Sequence, residues 1–361
     1  MSTSRFSLRI TALTVLGLAA DVAAAQIAEM TGKWILALDG SPSAGDETLE
    51  LRVLGLDPSP DIDYGILEIS HSDTQWRVFI DGGPVNLLSL NGDRIVFDFD
   101  WTDSGDVLHI AKLEGIFADG AFTGSTTENG QKRGIWHASP WAEYADTGAA
   151  PTPVDISGLW LSLSRGTHKD TFDLTPNGDA ANAAYDSTFD DPHLRCVTGG
   201  VIRMEDGPFG YEIIQRHDHV LILYEYFHEV RRIWTDGRDF PEDIEDAYLS
   251  MGYSTGHWEG ATFVIETRGM KPTVWDATGM PTSPSAVVIE RKYLDGAGRL
   301  HTDYTLHDPV NFNRPVYRHA YRERSASAEL NESACDPHSF YRSLDLEDRL
   351  DDYWRRSSSR F

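Results

Sequence analysis

The amino-acid sequence predicts an all-β protein of two tandem antiparallel barrels, or of a barrel followed by a sandwich, with a short helix at the C-terminal end. Two patterns carry this prediction. Most of the chain consists of short alternating runs separated by turns rich in Gly, Asp and Asn, which is typical of antiparallel strands. In the first half, no long stretch repeats apolar residues three and four positions apart, as an amphipathic helix would.

The first 25 residues have the pattern of a secretory signal peptide. Two arginines precede an apolar run over residues 10–20, and the small residues 23–25 offer a cleavage site before Gln26. The apolar run is too short to span a bilayer, and no later stretch approaches the ~20 apolar residues of a membrane helix. We therefore expect a mature protein that is periplasmic or secreted.

The length of the mature chain predicts two domains. Without residues 1–25, the chain of 361 residues is still long enough for two units of ~100–200 residues. The stretch WAEYADTGAAPTPV is small, Pro-containing and non-periodic, as expected of a linker. We place an N-terminal barrel at 26–140, the linker at 141–154, a C-terminal barrel at 155–338, and a C-terminal helix and tail at 339–361.

The alternating runs give the strands of each unit. The first unit has runs at Leu49–Val53, Gly65–Ile69, Gln75–Ile80, Arg94–Phe99, Leu108–Leu113 and Gly134–Trp136. The second has longer runs at Tyr211–Arg216, His219–Tyr226, Arg231–Trp234, His257–Thr267, Ala286–Leu294, Leu300–His307 and Val316–Tyr321. Asp239–Ala247 favours a short acidic helix. Near the end, one helical face holds Leu346, Leu350, Tyr353 and Trp354, which predicts a terminal helix docked on the barrel.

A short repeat links the two units. Residues 30–34, MTGKW, recur as residues 156–160, ISGLW. Gly lets the chain bend sharply, and Trp can plug one end of a barrel. The repeat therefore indicates two related barrels in tandem, although a five-residue match also arises by chance.

Charge and cysteine content narrow the function classes. Lys and Arg number 31 against 57 Asp and Glu, a formal net charge of −26, which argues against nucleic acid or an anionic membrane surface as partner. Cys196 and Cys335 are the two cysteines. In an exported protein, such a pair favours a disulfide over a metal site or a reactive thiol. The bridge would close a long loop and stabilise the fold by about 4–5 kcal/mol.

The stretch VLILYEYFHEVRRIWTDGR over residues 220–238 is the main candidate for chemistry, because an apolar strand there ends in a dense group of ionisable and aromatic side chains. Strand alternation places Tyr224, Tyr226 and His228 on one face, predicted to line a cavity. Glu225 lies on the other face, where we expect Arg231 or Arg232 as its partner. The structural alternative is a buried ion pair beside core tyrosines.

Glu259 is a second candidate, since desolvation beside Trp258 would raise its pKa toward that of a general acid. The hypothetical acid–base set is therefore His228, Tyr224, Tyr226 and Glu259, with Arg232 or Arg231 stabilising negative charge. Ligand contacts are assigned to Arg231, Trp234, Trp258, Trp275 and Phe227. Glu225, Cys196 and Cys335 are assigned structural roles.

Metal and cofactor sites have little support in the sequence. On a strand, His217 and His219 would point the same way and could share a divalent ion. The pair lies in what the sequence indicates is a turn between two strands, however, which favours exposed histidines. His301, Asp303, His307 and Asp308 lead to the same conclusion. The chain has no phosphate-binding glycine loop, HExxH or Cys redox motif. We therefore expect no metal and no cofactor.

Two resemblances follow from these motifs. Residues 155–335 contain LYEY with His228, then RR, DGR, MGxSxGxWEG and the Glu290-Arg291 pair, and this order resembles an uncharacterised family of secreted bacterial proteins. That family often has His at 253 and 282 and Asp at 284, where this chain has Tyr253, Thr282 and Pro284. The N-terminal half, with Gly32-x-Trp34 and a closing Gly134-Ile135-Trp136, is similar to lipocalin-like (calycin) barrels, which implies a cup-shaped cavity for an apolar ligand.

Two functions remain open from the sequence. The first is an exported, cofactor-independent enzyme that binds an apolar or aromatic small molecule in a barrel cavity and catalyses acid–base chemistry of lyase, hydratase or isomerase type. The second is a non-catalytic periplasmic carrier for hydrophobic ligands, in which the aromatics provide contact area and the charges are structural.

Overall fold

The computed structural model describes residues 27–39, 62–72, 75–102, 108–141, 154–162, 165–166 and 172–358. The predicted signal peptide, the predicted strand Leu49–Val53 and residues 142–153 of the predicted linker lie outside these residues. The described residues are mostly strands arranged in two barrel-like sheets, with few helices. The all-β prediction is confirmed.

Nine antiparallel strands curl around an apolar interior and form the main path of the first sheet, which a tenth strand joins from the second half. Its neighbours run in the order β4-β3-β2-β1-β9-β8-β7-β6-β5. Most neighbouring strands follow each other in the chain and form hairpins. Strand β1 lies between β2 and β9, so it joins the beginning of this segment to its last strand. The strands are β1 Gly32–Asp39, β2 Ile62–Ser72, β3 Gln75–Ile80, β4 Gly83–Pro84, β5 Asn86–Asn91, β6 Arg94–Thr102, β7 Leu108–Ala118, β8 Ala121–Glu128 and β9 Gln131–Pro140.

The second sheet is a closed barrel in the order β10-β12-β13-β14-β15-β16-β19-β20-β21. Its pairs are antiparallel except β14 with β15, which are parallel. The strands of this half are β10 Gly158–Ser162, β11 Arg165–Gly166, β12 Tyr211–Gln215, β13 His219–Tyr224, β14 Val230–Trp234, β15 Tyr253–Glu259, β16 Thr262–Arg268, β17 Thr273–Val274, β18 Pro281–Thr282, β19 Val287–Leu294, β20 Leu300–His307 and β21 Val316–Ser325. Strands β17 and β18 form a separate ribbon, and β11 pairs in parallel with β2 of the first sheet.

Within the described ranges, the helices are short and belong to the second half, apart from a helical turn at 27–30. They are α1 Pro176–Ala183, α2 Val201–Asp206, α3 Pro337–Leu346 and α4 Leu350–Ser358, with 3-10 turns at Pro192–Arg195, Tyr226–His228 and Ile244–Asp246. The acidic helix predicted at Asp239–Ala247 is reduced to the last of these turns. Neither α1 nor α2 was predicted from the sequence.

The predicted C-terminal helix is two helices, because the chain turns at Asp348, whose φ is 54°. Leu344 and Tyr353 are buried against Phe189. Leu346 and Trp354 are 74% and 51% exposed, so the single apolar face predicted for Leu346, Leu350, Tyr353 and Trp354 is wrong. No described helix is long and apolar enough to cross a membrane.

The predicted disulfide is confirmed. Cys196 and Cys335 are bonded across a sequence separation of 139, with their Cα atoms 5.8 Å apart. The bridge joins the end of the 3-10 turn at Pro192–Arg195 to the segment before α3. A disulfide fits a protein of an oxidising compartment.

The repeated pentapeptide begins the first strand of each sheet. Gly32 and Gly158 have φ values of +134° and +126°, which glycine adopts without steric cost. Trp34 and Trp160, two residues on, are 4% and 0% exposed. The two units therefore start in the same way, as the repeat predicted.

The two sheets meet along β21. The amide of Tyr317 donates to the carbonyl of Asp81 at 3.3 Å, and Arg314 pairs with Glu68 at 2.8 Å. A Cβ on Gly82 would lie 2.4 Å from the carbonyl oxygen of Pro315, so glycine permits this close approach.

Candidate functional site

The main sequence candidate is divided by a turn. Strand β13 ends at Tyr224 rather than at Tyr226, and residues 226–228 form a 3-10 turn. Phe227 and His228 have φ values of 57° and 55°, so the period-two alternation stops there. The prediction that Tyr224, Tyr226 and His228 share one strand face is wrong for this reason.

Tyr224 lies inside the closed barrel. It is 3% exposed, and its hydroxyl donates to Glu205 Oε1 at 2.6 Å. Burial, together with the negative charge of Glu205, raises the pKa of Tyr224 well above its ordinary value. Tyr224 is therefore a neutral hydrogen-bond donor at physiological pH.

Tyr226 and Phe227 lie at the rim of the barrel in a group of rings. The ring of Tyr226 stacks on Phe209 and Phe227, with centroids 4.2 and 3.9 Å away. His193 meets both Tyr226 and Phe227 edge-on at 5.1 and 5.0 Å. Burial and the charge of Arg203 lower the pKa of His193 to about 4. His228 is exposed, and its Nε2 accepts from the amide of Ser333 at 3.2 Å.

Glu225 does not pair with the arginines assigned to it. Its carboxylate accepts from Asn331 at 3.3 Å. Arg231 points into the barrel and pairs with Glu290, while Arg232 is exposed, its guanidinium carbon 5.1 Å from the ring centroid of Trp234. The expected ion pair is absent because the turn after Tyr224 carries Glu225 away from β14.

Glu259 is held by two basic groups. Its carboxylate lies 2.6 Å from Arg291 Nη1 and 3.1 Å from His257 Nε2. Burial alone would raise the pKa of Glu259, but Arg291 and His257 outweigh it and lower the pKa. The prediction of a raised pKa is wrong, since it considered only the neighbouring Trp258, which stacks on Phe263 at 5.1 Å.

The two remaining aromatic candidates, Trp234 and Trp275, lie in different surroundings. Trp234 is half-buried beneath Arg238, whose guanidinium carbon is 3.5 Å from the ring centroid. Trp275 is 2% exposed and packs edge-on against Phe172 at 5.4 Å. The structure therefore distributes the predicted site residues among the barrel interior, its rim and its outer surface. Their assigned roles stay predictions.

The closed barrel contains a buried charged cluster, defined as Glu205, Arg231, Glu290 and Lys292. Lys292 Nζ lies 2.9 Å from Glu205 and 3.5 Å from Glu290, and Arg231 pairs with Glu290. All four residues are at most 2% exposed. Burial alone would raise the pKa of Glu205, but the positive charges of Lys292, Arg322 and Arg231 hold it below its ordinary value.

The buried charged cluster is closed by α2, which carries Glu205 into the barrel. Arg322 fixes the end of this helix by donating to the carbonyls of Glu205 and Gly207 at 2.6 and 3.2 Å. Arg231 also donates to Ser254 at 3.2 Å and Thr267 at 2.7 Å. Sequence reasoning missed this cluster, although Glu290 and Lys292 share the buried face of β19.

A cleft of about 970 Å³ opens at one end of the first sheet. Its walls come from the helical turn at 27–30, the start of β1, the β7–β8 turn and the end of β9. The lining residues are Glu29, Thr31, Gly32, Lys33, Trp34, Phe117, Ala118, Asp119, Gly120, Pro140 and Trp141.

The cleft combines aromatic surface with a few polar groups. Trp34 packs edge-on against Phe117 and Phe122 at 5.7 and 4.9 Å. Trp34 Nε1 is buried and has no hydrogen-bond partner within the described residues. Lys33 Nζ lies 4.8 Å from the ring centroid of Trp141 and 4.2 Å from that of Tyr317. Such a mixture is typical of small-molecule sites.

The histidines tested for metal binding lie in two settings. The side chain of His217 is 94% exposed and that of His219 is 21% exposed, and both contact Asp218. His307 is exposed. His301, Asp303 and Asp308 are 9%, 3% and 2% exposed, so the expectation of exposed side chains is wrong for these three. In the described ranges, no three His, Cys, Asp or Glu side chains are placed to hold a metal ion.

Comparison with known proteins adds little to this geometry. No protein-family model and no curated protein matches the chain. A protein of unknown function from the DUF3598 family of Nostoc punctiforme is similar over 83% of this chain and 98% of its own, with 7% identity and a TM-score of 0.23. Aeromonas veronii immune modulator A is similar over 84% of this chain and 100% of its own, with 8% identity and a TM-score of 0.22. The resemblance to a secreted bacterial family stays a prediction.

Proposed function

We propose that this protein is an exported binding protein that holds an apolar or aromatic small molecule in the cleft of its first sheet and leaves it chemically unchanged. The observation that carries this proposal is the cleft itself, with a volume of about 970 Å³ and walls that include Trp34, Phe117 and Trp141. Ligand sites of proteins commonly measure ~300–1,000 Å³ and are lined mainly by apolar and aromatic side chains.

The polar groups of the cleft indicate how a ligand would be oriented. Lys33 has aromatic rings as neighbours, while Glu29 and Asp119 contribute carboxylates to the same walls. A ligand with a flat apolar body stacks on the rings, and one or two polar substituents face Lys33 and Thr31. Binding of this kind needs no titrating group at a reacting atom.

The arrangement of the predicted acid–base residues favours binding over catalysis. Tyr224 is sealed in the closed barrel, His228 is exposed beside Ser333, and Glu259 is paired with Arg291. General acid–base catalysis requires such groups within hydrogen-bond reach of one substrate. The Cys196–Cys335 disulfide supports export, since such bonds persist in oxidising compartments.

A blocking variant tests the proposal. Ala118 is exposed and lines the cleft, so Ala118→Trp fills the space that a ligand would occupy. We expect the parent to bind the neutral fluorescent probe N-phenylnaphthylamine, and Ala118→Trp to weaken its Kd at least about tenfold. Fluorescence titration of the full chain measures both constants.

The matched control is Ala277→Trp, which adds the same side chain at an exposed position of the second half. It should bind the probe as the parent does. A parent that fails to bind, or an Ala118→Trp variant that binds as tightly as Ala277→Trp, would refute the cleft as the binding site.

A further inference from the structure

Two imidazoles lie between two carboxylates where the sheets meet. His319 Nδ1 contacts Asp303 Oδ1, His319 Nε2 lies 3.2 Å from His301 Nδ1, and His301 Nε2 lies 3.2 Å from Asp295 Oδ2. All four ring nitrogens thus have a polar partner. We call Asp295, His301, His319 and Asp303 the histidine chain.

The histidine chain is complete in one protonation state. Each of its three contacts needs one hydrogen, because a carboxylate oxygen only accepts and two bare ring nitrogens repel each other. Two neutral imidazoles carry two hydrogens between them. The pair must therefore hold one extra proton. With a second extra proton, both facing nitrogens carry hydrogen, and the contact between His301 and His319 is lost.

The surrounding charges also favour a single extra proton. Arg299 Nε lies 2.7 Å from Asp295 Oδ2, so the two carboxylates are balanced by one imidazolium and one guanidinium. Tyr293 and Tyr321 stack against His301 at 5.3 and 5.8 Å. A second proton would leave a net positive charge beside His301, His319 and Asp303, whose side chains are at most 11% exposed, which is costly. Burial and the neighbouring His319 lower the pKa of His301.

The histidine chain ends on the wall of the cleft. Asp303 Oδ2 accepts from Trp141 Nε1 at 3.0 Å, while Asp303 Oδ1 contacts His319. Trp141 lines the cleft, and the positive charge of Lys33 lies over its ring. One carboxylate therefore connects the imidazole pair to a ligand-facing ring.

We propose that the histidine chain is a one-proton switch that fixes Trp141 in place, so that ligand binding in the cleft depends on pH. The inference rests on the proposed binding function. On acidification the pair takes up a second proton, the His301–His319 contact opens, and Asp303 turns toward the charged His319. The indole of Trp141 then loses its acceptor, and the cleft loses an ordered wall. Because the pKa of His301 is lowered in the folded protein, the second proton binds, and affinity is lost, at pH values below ~6.5, the ordinary pKa of imidazole.

The test compares the Kd of N-phenylnaphthylamine at pH 7.5 and pH 5.0 for the full chain and two variants. Trp141→Phe keeps an aromatic ring and removes the indole N–H. His301→Gln keeps a hydrogen-bond donor and an acceptor in a side chain that does not titrate. We expect binding by the parent to weaken about fivefold at the lower pH, and the ratio to approach one in both variants. His257→Gln, at an exposed histidine, should keep the parent's ratio.

A parent with equal affinity at both pH values, or variants with the parent's ratio, would overturn the switch and leave the binding function standing. Loss of probe binding at pH 7.5 would instead refute the proposed function, on which the switch depends. A second readout needs no ligand. The indole N–H signal of Trp141, assigned by its loss in Trp141→Phe, should move between pH 7.5 and 5.0 in the parent, and an unmoved signal would contradict the switch.

Discussion

The two sheets begin alike but differ in what their interiors contain. In the first sheet the interior is apolar, with Phe97, Leu113 and Trp136 at most 1% exposed, and one end opens into the cleft. In the second, α2 enters the barrel and adds the buried charged cluster to an apolar core that includes Ile222, Phe263 and Val288. The charges of this cluster are paired, because unpaired buried charges are costly, whereas the first sheet leaves the half-buried ring of Trp141 at an open end. This difference supports placing the proposed ligand site in the first sheet.

The largest expected loss of stability comes from a substitution in the buried charged cluster. Lys292→Met removes one cation and leaves Glu205 and Glu290 with less compensation, which should lower the free energy of unfolding by about 3–5 kcal/mol. Urea titration followed by circular dichroism measures the loss. Lys112→Met in the first sheet is the matched control.

Lys112 pairs with Glu114 at 2.6 Å, but both side chains are more than 40% exposed. Its loss should cost at most about 1 kcal/mol. Equal costs at Lys292 and Lys112 would contradict the contrast between the two interiors.

The repeated tryptophans offer a finer comparison. Trp160 Nε1 donates to the carbonyl of Ile156 at 2.9 Å, whereas Trp34 Nε1 has no partner within the described residues. Trp160→Phe leaves the carbonyl of Ile156 without this donor. Trp34→Phe removes an indole N–H that has no hydrogen-bond partner within the described residues. We expect Trp160→Phe to destabilise the protein by about 1 kcal/mol more than Trp34→Phe does, measured by the same urea titration. Equal losses, or the reverse order, would contradict the role given to the Trp160 hydrogen bond.

The last expected effect concerns pH. Because the pKa of His193 is lowered to about 4 in the folded protein and is ~6.5 when unfolded, the unfolded state binds more protons between these values. Stability is therefore full above ~6.5 and falls as pH drops toward 4. His193→Phe keeps the ring contacts with Tyr226 and should reduce the difference between the urea midpoints at pH 7 and pH 5. His217→Phe, at a side chain 94% exposed, should retain the difference seen in the parent.

The sequence predicted the architecture because architecture depends on local patterns. Alternating runs gave most strands, the glycine–tryptophan repeat gave the start of each barrel, and two cysteines gave the disulfide. The prediction failed at Tyr226, where two consecutive residues adopt positive φ and end the alternation. Non-glycine residues take this conformation too rarely for a sequence to indicate it.

The site was predicted less well because it depends on contacts between distant segments. Glu205 and Lys292 are 87 residues apart, and Trp141 and Asp303 are 162 apart. Alternation places Glu290 and Lys292 on one face of β19. It does not indicate that α2 brings the carboxylate of Glu205 to them. Lys33 and Trp34 lie within the repeated motif that the sequence identified. Predicting the cleft beside them would also have required the position of β9.

The pairing of β11 with β2 affects how the chain reaches its native state. Arg165 and Gly166 lie opposite Asp63 and Tyr64 in a parallel pair, although the other strands of that sheet end at Pro140. During synthesis, the first sheet therefore lacks part of its backbone hydrogen bonding until residue 166 has left the ribosome. A fragment that stops in the linker would present an unpaired strand segment, which invites aggregation. The first sheet is therefore completed only after the beginning of the second half has been synthesised.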